Sequence, residues 1–364
     1  MFRRFTLAAV ALSMISACSS PDSTPTVLAA PPPTIAVPDT TTTTVAASTT
    51  TSTTSTTTTT VPVVPGAPLD GLPVEDSALV ERRVLAVKID NHWDARPQSG
   101  IEEADAVYEL PVESGLTRFI ALFHRNDSPY LGPMRSGRPT DPTLLKPLGA
   151  TFVISGAQDW VINRITSAGV SIIGEVRPET FRISNRSAPH NLYVDTAALR
   201  EHADANGYSN EPPPDLFAWA GWEDVSTEGA TSIRFDWSPG QQVRWDWTGD
   251  EYLRFIGGEP HETMTGESER SQIQTDTLVV LFATRYTASP SGAGSSVPAM
   301  DTVGSGRALI FSGGRMRAGS WSRSSIEEPF ALATAGGEEL TVPPGRPWIS
   351  VFPDNRSIGW ESDE

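Results

Sequence analysis

Arginines grouped with carboxylates and histidine carry the candidate chemistry of this chain. Arg135-Ser136-Gly137-Arg138 places two guanidinium groups just ahead of Thr140-Asp141-Pro142, where Thr140 or Asp141 can cap a helix and Pro142 can open its first turn. Fork-shaped donors beside the positive end of a helix dipole suit an anion. The competing account is that both arginines neutralise nearby acids. Glu109, Glu113 and Arg118 form a second group, on a segment that reads as a hairpin. It has an extended run from Asp105 to Glu113, a turn at Ser114-Gly115, and a return from Leu116 to His124. A two-residue turn pairs Glu113 with Leu116, Pro111 with Arg118 and Glu109 with Ile120. That register puts Arg118 on one face with both glutamates, as their clamp or as part of a ligand site. Glu109 and Glu113 are roughly 13 Å apart on an extended chain. A glycosidase acid/base pair needs about 5–9.5 Å, so these two alone make a poor one.

Asp90-Asn91-His92-Trp93-Asp94 follows an apolar strand, at the carboxyl end where α/β sheets commonly bind ligands. Asp90, His92 and Asp94 offer metal-ligand chemistry at an unspecific spacing, and a solvated turn is the preferred account. No metal site is assigned, and the sequence leaves any cofactor open. Pro189-His190-Asn191 adds a histidine, and Asp90 and His190 are the candidate catalytic residues. The chain has no Gly-x-Ser-x-Gly, P-loop, His-Glu-x-x-His or dinucleotide fingerprint.

These groups need a scaffold. Residues 84–205 alternate strand and helix patterns: an apolar run Val84–Asp90, a helix starting near Asp141-Pro142, a strand at Thr151–Ile154, and a helix Thr196–Ala205 capped by Asp195. Beyond Pro212-Pro213-Pro214, residues Ile233, Phe235, Trp237, then Val243, Trp245, Trp247, alternate with polar positions between turns. This is the pattern of an antiparallel meander. Its tryptophan stripe is read as core in preference to a sugar-stacking platform. Further strands are expected at 277–286, 307–311 and 347–352, with a mobile Ser/Gly-rich loop at 289–306. The fold class is an α/β N-terminal domain, 69–215, followed by a β-rich C-terminal domain, 216–364.

The first residues set an address. Arg3 and Arg4, an apolar stretch from Phe5 to Ile15, and Ile15-Ser16-Ala17-Cys18 read as a bacterial lipoprotein signal peptide, 1–17, with the thiol of Cys18 as the lipidation site. Cys18 is the one cysteine in the 364 residues, which excludes intrachain disulfides and a CxxC site. Residues 18–68, rich in Thr, Ser and Pro, read as a disordered stalk reaching on the order of 150 Å if extended. The formal charge of -17 and only two lysines, Lys88 and Lys146, argue against nucleic acid as a partner.

The ordered motifs resemble the YerB-type lipoprotein family, which is built on a domain of unknown function. The resemblance rests on Asp90-Asn91, Arg96-Pro97-Gln98-Ser99-Gly100, Glu113 through Arg118, Gly132 through Pro139, and Pro189 through Tyr193. Tyr252-Leu253-Arg254, Pro260-His261, Gly319-Ser320-Trp321 and Pro344 through Ile349 extend it. It implies a two-domain envelope lipoprotein with no established activity. A fainter similarity is to LytR–CpsA–Psr phosphotransferases, where an arginine at the position of Arg135 holds a pyrophosphate. Ser136 stands where those enzymes carry Asp. The ligand-binding candidates are therefore Arg96, Glu109, Glu113 and Arg118, together with Arg135, Ser136, Arg138, His190 and Asn191. Three readings stay open: a membrane-anchored extracytoplasmic protein that binds an anionic ligand or wall component, a phosphotransferase or hydrolase of a lipid-linked pyrophosphate, and a non-catalytic scaffold.

Overall fold

The computed structural model describes residues 66–362, apart from residue 224. The signal segment, Cys18 and nearly all of the stalk lie outside these residues. Folded structure starts slightly earlier than expected, because Ala67 is 1% exposed and its N–H donates to the Leu72 carbonyl at 2.8 Å.

Strands β1 (Leu85–Ile89), β2 (Ala106–Pro111), β3 (Thr117–Phe123), β4 (Thr151–Val153) and β5 (Ile172–Ile173) come from the first half. Helices α1 (Asp141–Leu145), α2 (Asp159–Ser167) and α3 (Thr196–Ala205) accompany them. The predicted cap of α3 is present, with Asp195 Oδ1 accepting from the Ala198 N–H at 3.0 Å. The second half is almost wholly strands. The meander is β6 (Ser232–Ser238), β7 (Gln241–Trp247) and β8 (Tyr252–Ile256). After it come β9 (Thr277–Ala283), β10 (Gly304–Ser312), β11 (Arg315–Arg323), β12 (Ala331–Ala333), β13 (Pro347–Pro353) and β14 (Ile358–Glu361). The α/β-then-β character read from the sequence holds.

One eleven-stranded sheet runs through both halves, in the order β12-β11-β10-β9-β13-β2-β3-β1-β4-β5, with Glu228–Gly229 pairing beside β11. The seam is a parallel pairing of β13 with β2, in the register Trp348↔Val107, Ile349↔Tyr108 and Ser350↔Glu109. The boundary expected near residue 215 therefore divides the sequence while the sheet continues across it. The central strands β1, β9 and β13 are buried along their whole length, as expected of strands covered on both faces. On one face, Ala86, Tyr108, Ile120 and Val279 pack with Leu144 of α1 and Val161 and Ile165 of α2. On the other, Val87, Val107, Phe119 and Trp348 pack with Leu199 of α3 and with Ile233, Trp237 and Trp245 of the meander. Trp237 and Trp245 are thus core.

The segment expected as a mobile loop at 289–306 is more ordered than its composition suggests. Arg285–Ala288 and Val297–Met300 pair as an antiparallel hairpin, and β10 begins at Gly304. Val297, Ala299 and Met300 are buried, and the Met300 N–H donates to Thr140 Oγ1 at 2.9 Å. Three apolar anchors are enough to order a stretch whose Ser/Gly content reads as loop.

Candidate functional site

The hairpin of β2 and β3 sets where the charges go. Its loop holds three residues, Glu113–Gly115, closed by Val112 N donating to the Leu116 carbonyl at 2.8 Å. Ser114 sits at φ 59°, in the left-handed region. A three-residue loop changes the parity of the pairing expected from a two-residue one. The observed partners are Glu109↔Phe119, Leu110↔Arg118 and Pro111↔Thr117. Because side chains alternate faces, this one-residue shift separates Arg118 from Glu109. The expected clamp of Arg118 by both glutamates is therefore not formed.

Glu109 faces a buried network instead. Its Oε2 accepts from Arg254 Nη1 at 2.9 Å and Trp348 Nε1 at 2.8 Å. Its Oε1 accepts from Arg254 Nη2 at 2.8 Å and Thr117 Oγ1 at 2.7 Å. Arg254 Nε donates to His261 Nδ1 at 2.9 Å, which fixes the proton of that imidazole on Nε2, facing Gln98 Oε1 at 3.1 Å. Burial, then the neighbouring Arg254 and Arg96, hold His261 well below the usual histidine range. Arg254 is also ringed by Phe119, Trp245 and Trp348, with centroids 5.0–5.5 Å from its guanidinium carbon. Arg96 belongs to the edge of this network, donating to Asn91 Oδ1 at 3.0 Å and to the Asn91 carbonyl at 2.7 Å. Its guanidinium is pushed down to about 10, first by burial and then by Arg254. Glu109 and Arg96, both expected at a ligand site, are thus part of the joint between the two halves.

The remaining charges meet in an open cavity of about 260 Å³ lined by Asp90, His92, Glu113, Arg118, Arg135 and Arg138, among others. The segment carrying Arg135 and Arg138 is laid along β1 by backbone bonds, Asp90 N to the Pro133 carbonyl at 2.9 Å and Arg135 N to the Lys88 carbonyl at 2.8 Å. It passes close under Tyr193, so a Cβ at Gly132 would lie 2.8 Å from that ring. In the cavity, Arg135 Nε is 2.9 Å from Asp90 Oδ2, and Arg138 Nε is 2.9 Å from Glu113 Oε2. Arg118 makes no ion pair among the described residues, and its Nη1 donates to the Ser136 carbonyl at 3.0 Å. Ser136 contributes that carbonyl, which also accepts from Arg138 Nη1 at 3.4 Å. Burial, then the adjacent Arg138, push the Arg118 guanidinium down to about 10. Three arginines against two carboxylates leave the cavity with a cation in excess, inside a chain of formal charge -17.

The helix start does not supply the anion site that the sequence suggested. Helix α1 has five residues, and Asp141 occupies its first position. Its carboxylate already takes Lys88 Nζ at 2.7 Å and the Arg138 N–H at 2.7 Å. Lys88 is fully buried, and burial brings its ammonium down to about 8. A lone lysine within an apolar strand was the sequence signal for this pair, since such a charge requires a buried partner.

Asp90, 3% exposed at its side chain, also accepts from His190 Nδ1 at 2.8 Å, across 100 residues of sequence. His190 stacks on His92, with ring centroids 4.9 Å apart. Asn191 is not brought to the cavity: its side chain accepts from Arg182 Nη1 at 2.9 Å and donates to the Ile183 carbonyl at 3.2 Å. Asp90, Glu113, Arg118, Arg135, Ser136, Arg138 and His190 are gathered in or against the cavity. His92, Lys88, Asp141 and Arg254 were missed as members of either cluster.

Residues 69–209 match the family described as "Protein of unknown function (DUF3048) N-terminal domain", and residues 231–349 match its C-terminal domain. YerB of Bacillus subtilis (strain 168), a protein named as a lipoprotein, is 25% identical over 299 residues, which is 79% of this chain and 86% of the relative. The crystal structure of the YerB protein from Bacillus subtilis shares the fold, with a TM-score of 0.69 at 24% identity over 81% of this chain and 99% of that one.

Proposed function

Because the chain belongs to the YerB-type, DUF3048 family, we propose that it is a lipoprotein held by Cys18 on the outer face of the cell membrane, where its arginine-lined cavity binds an anionic ligand. The single observation carrying the binding reading is Arg118, a part-buried guanidinium that has Asp90 and Glu113 nearby but, among the described residues, no carboxylate within ion-pair distance. Taking a cation out of water without a counter-ion is costly, and bringing it near two other arginines adds repulsion. An incoming phosphate, sulfate or carboxylate offsets both terms. A wall component bearing such a group fits the address set by a lipid tether. Asp90, the residue that a phosphotransferase would use as base or metal ligand, is tied to Arg135 and His190, which favours binding over turnover.

Calorimetric titration with inorganic phosphate and pyrophosphate tests the reading. Arg118→Gln should weaken the interaction by about 1.5–3 kcal/mol, the worth of a hydrogen bond to a charged group. Equal affinity in wild type and variant, or no binding by either, would remove the cavity as an anion site. The tether is tested by metabolic labelling with a fatty-acid probe such as a palmitate analogue. Label should be lost in Cys18→Ser, and its retention would overturn the lipid anchor.

A further inference from the structure

At the rim of the cavity, His92, Asp94 and His190 bring their ligand atoms within 4.8 Å of one another. We propose that these three residues form a binding site for one divalent transition-metal ion of the zinc type, a role that the sequence spacing alone does not indicate. Two imidazoles and a carboxylate make up a donor set suited to such ions, with at least one coordination position left open.

The proton positions favour this use. Asp90 is ion-paired with Arg135 and, as a carboxylate, can only accept, so His190 Nδ1 donates to it at 2.8 Å. That leaves His190 Nε2 unprotonated and available, in the carboxylate–histidine arrangement that orients metal-binding imidazoles. His92 Nδ1 accepts from the Asp94 N–H at 3.2 Å, so this nitrogen carries a lone pair and needs no change of tautomer to bind a metal. Asp94 is exposed, and water can replace that contact when the nitrogen turns to a metal.

The distances point the same way. His92 Nδ1 lies 3.4 Å from Asp94 Oδ2. Two ligands sharing a tetrahedral ion at about 2.0–2.1 Å are about 3.3 Å apart, so this edge is already at its bound length. His190, within 4.8 Å of the other two, has to close by up to about 1.5 Å to share the ion. Arg135 pairs with Asp90 and with none of the three ligands. None of its ligands is one of the cavity arginines, so although His92 lines the same cavity, the metal and anion readings are tested by different variants.

The test is calorimetric titration of the mature chain with Zn²⁺, using Cys18→Ser throughout so that a free thiol does not contribute. One equivalent should bind, and Mg²⁺ should not, because that ion prefers oxygen ligands. His92→Ala and His190→Ala should each weaken binding at least about tenfold, and Asp90→Asn by roughly 10- to 100-fold through loss of orientation. His202→Ala, at a histidine elsewhere on α3, should leave binding unchanged. If His190→Ala fails to fold, Asp94→Ala replaces it, since that side chain is 63% exposed and removing it leaves the core intact. The absence of Zn²⁺ binding in the parent chain overturns the proposal. So does affinity that survives the His92 and Asp94 changes.

Discussion

The two charged clusters lie on opposite faces of the same hairpin and obey different rules. Around Glu109 every strong donor meets an acceptor: two arginine nitrogens, an indole and a hydroxyl share its two oxygens, and His261 takes the third arginine nitrogen. Around Arg118 the count does not close, since three arginines meet two carboxylates in an open cavity. A matched, dry cluster joins parts of a structure, because breaking it strands a charge. An unmatched one in an open cavity leaves room for a charge from outside, which is the basis of the binding proposal. The difference sets Arg254, reaching Glu109 from β8, apart from Arg118 on β3, whose charge has no carboxylate within ion-pair distance among the described residues.

The strongest way to break that contrast is Glu109→Gln. It should leave Arg254 buried without a counter-ion and cost about 3–5 kcal/mol in equilibrium denaturation. A loss under about 1 kcal/mol would show that the network is not the joint described.

Acid provides the next test. The unfolded-state pKa of His261 is about 6.5, and its folded value is depressed, so the folded state binds fewer protons below that pH. The stability it contributes is fully present above about 6.5 and is lost as pH falls toward the folded value, with a slope of about 1.4 kcal/mol per pH unit. His261→Gln should flatten the acid arm of the stability curve by that slope. An unchanged arm would mean that the imidazole is already protonated in its network.

The smallest effect sharpens the other side. Arg118→Gln should change unfolding free energy by no more than about 0.5 kcal/mol, or raise it slightly by relieving repulsion, while anion affinity falls. A cost comparable to that of Glu109→Gln would place Arg118 among the structural arginines.

Much of the scaffold could be read from local pattern. The apolar run became β1, Asp195 capped α3, and the alternation of Ile233, Phe235 and Trp237 became β6 with its inward face in the core. Parts of the site were legible as well, because Arg135 and Arg138 stand out as a close pair, and the backbone of Pro133 and Arg135 holds their segment beside β1. The hairpin failed on a detail that composition does not encode. Ser114-Gly115 suits a two-residue turn, but Glu113 joins it in the loop, and that one residue exchanges the faces of Glu109 and Arg118.

What the sequence determined by itself is therefore local: element types, the change from an α/β half to a β-rich one, and the candidate polar groups. Tertiary structure decided which groups meet. Arg254 reaches Glu109 across 145 residues, His190 reaches Asp90 across 100, and β13 inserts beside β2 to make one sheet from two halves. Propensity and periodicity act over a few neighbouring residues. Pairing across such separations is set by which buried faces and charges must be matched at once, and only the folded chain fixes that.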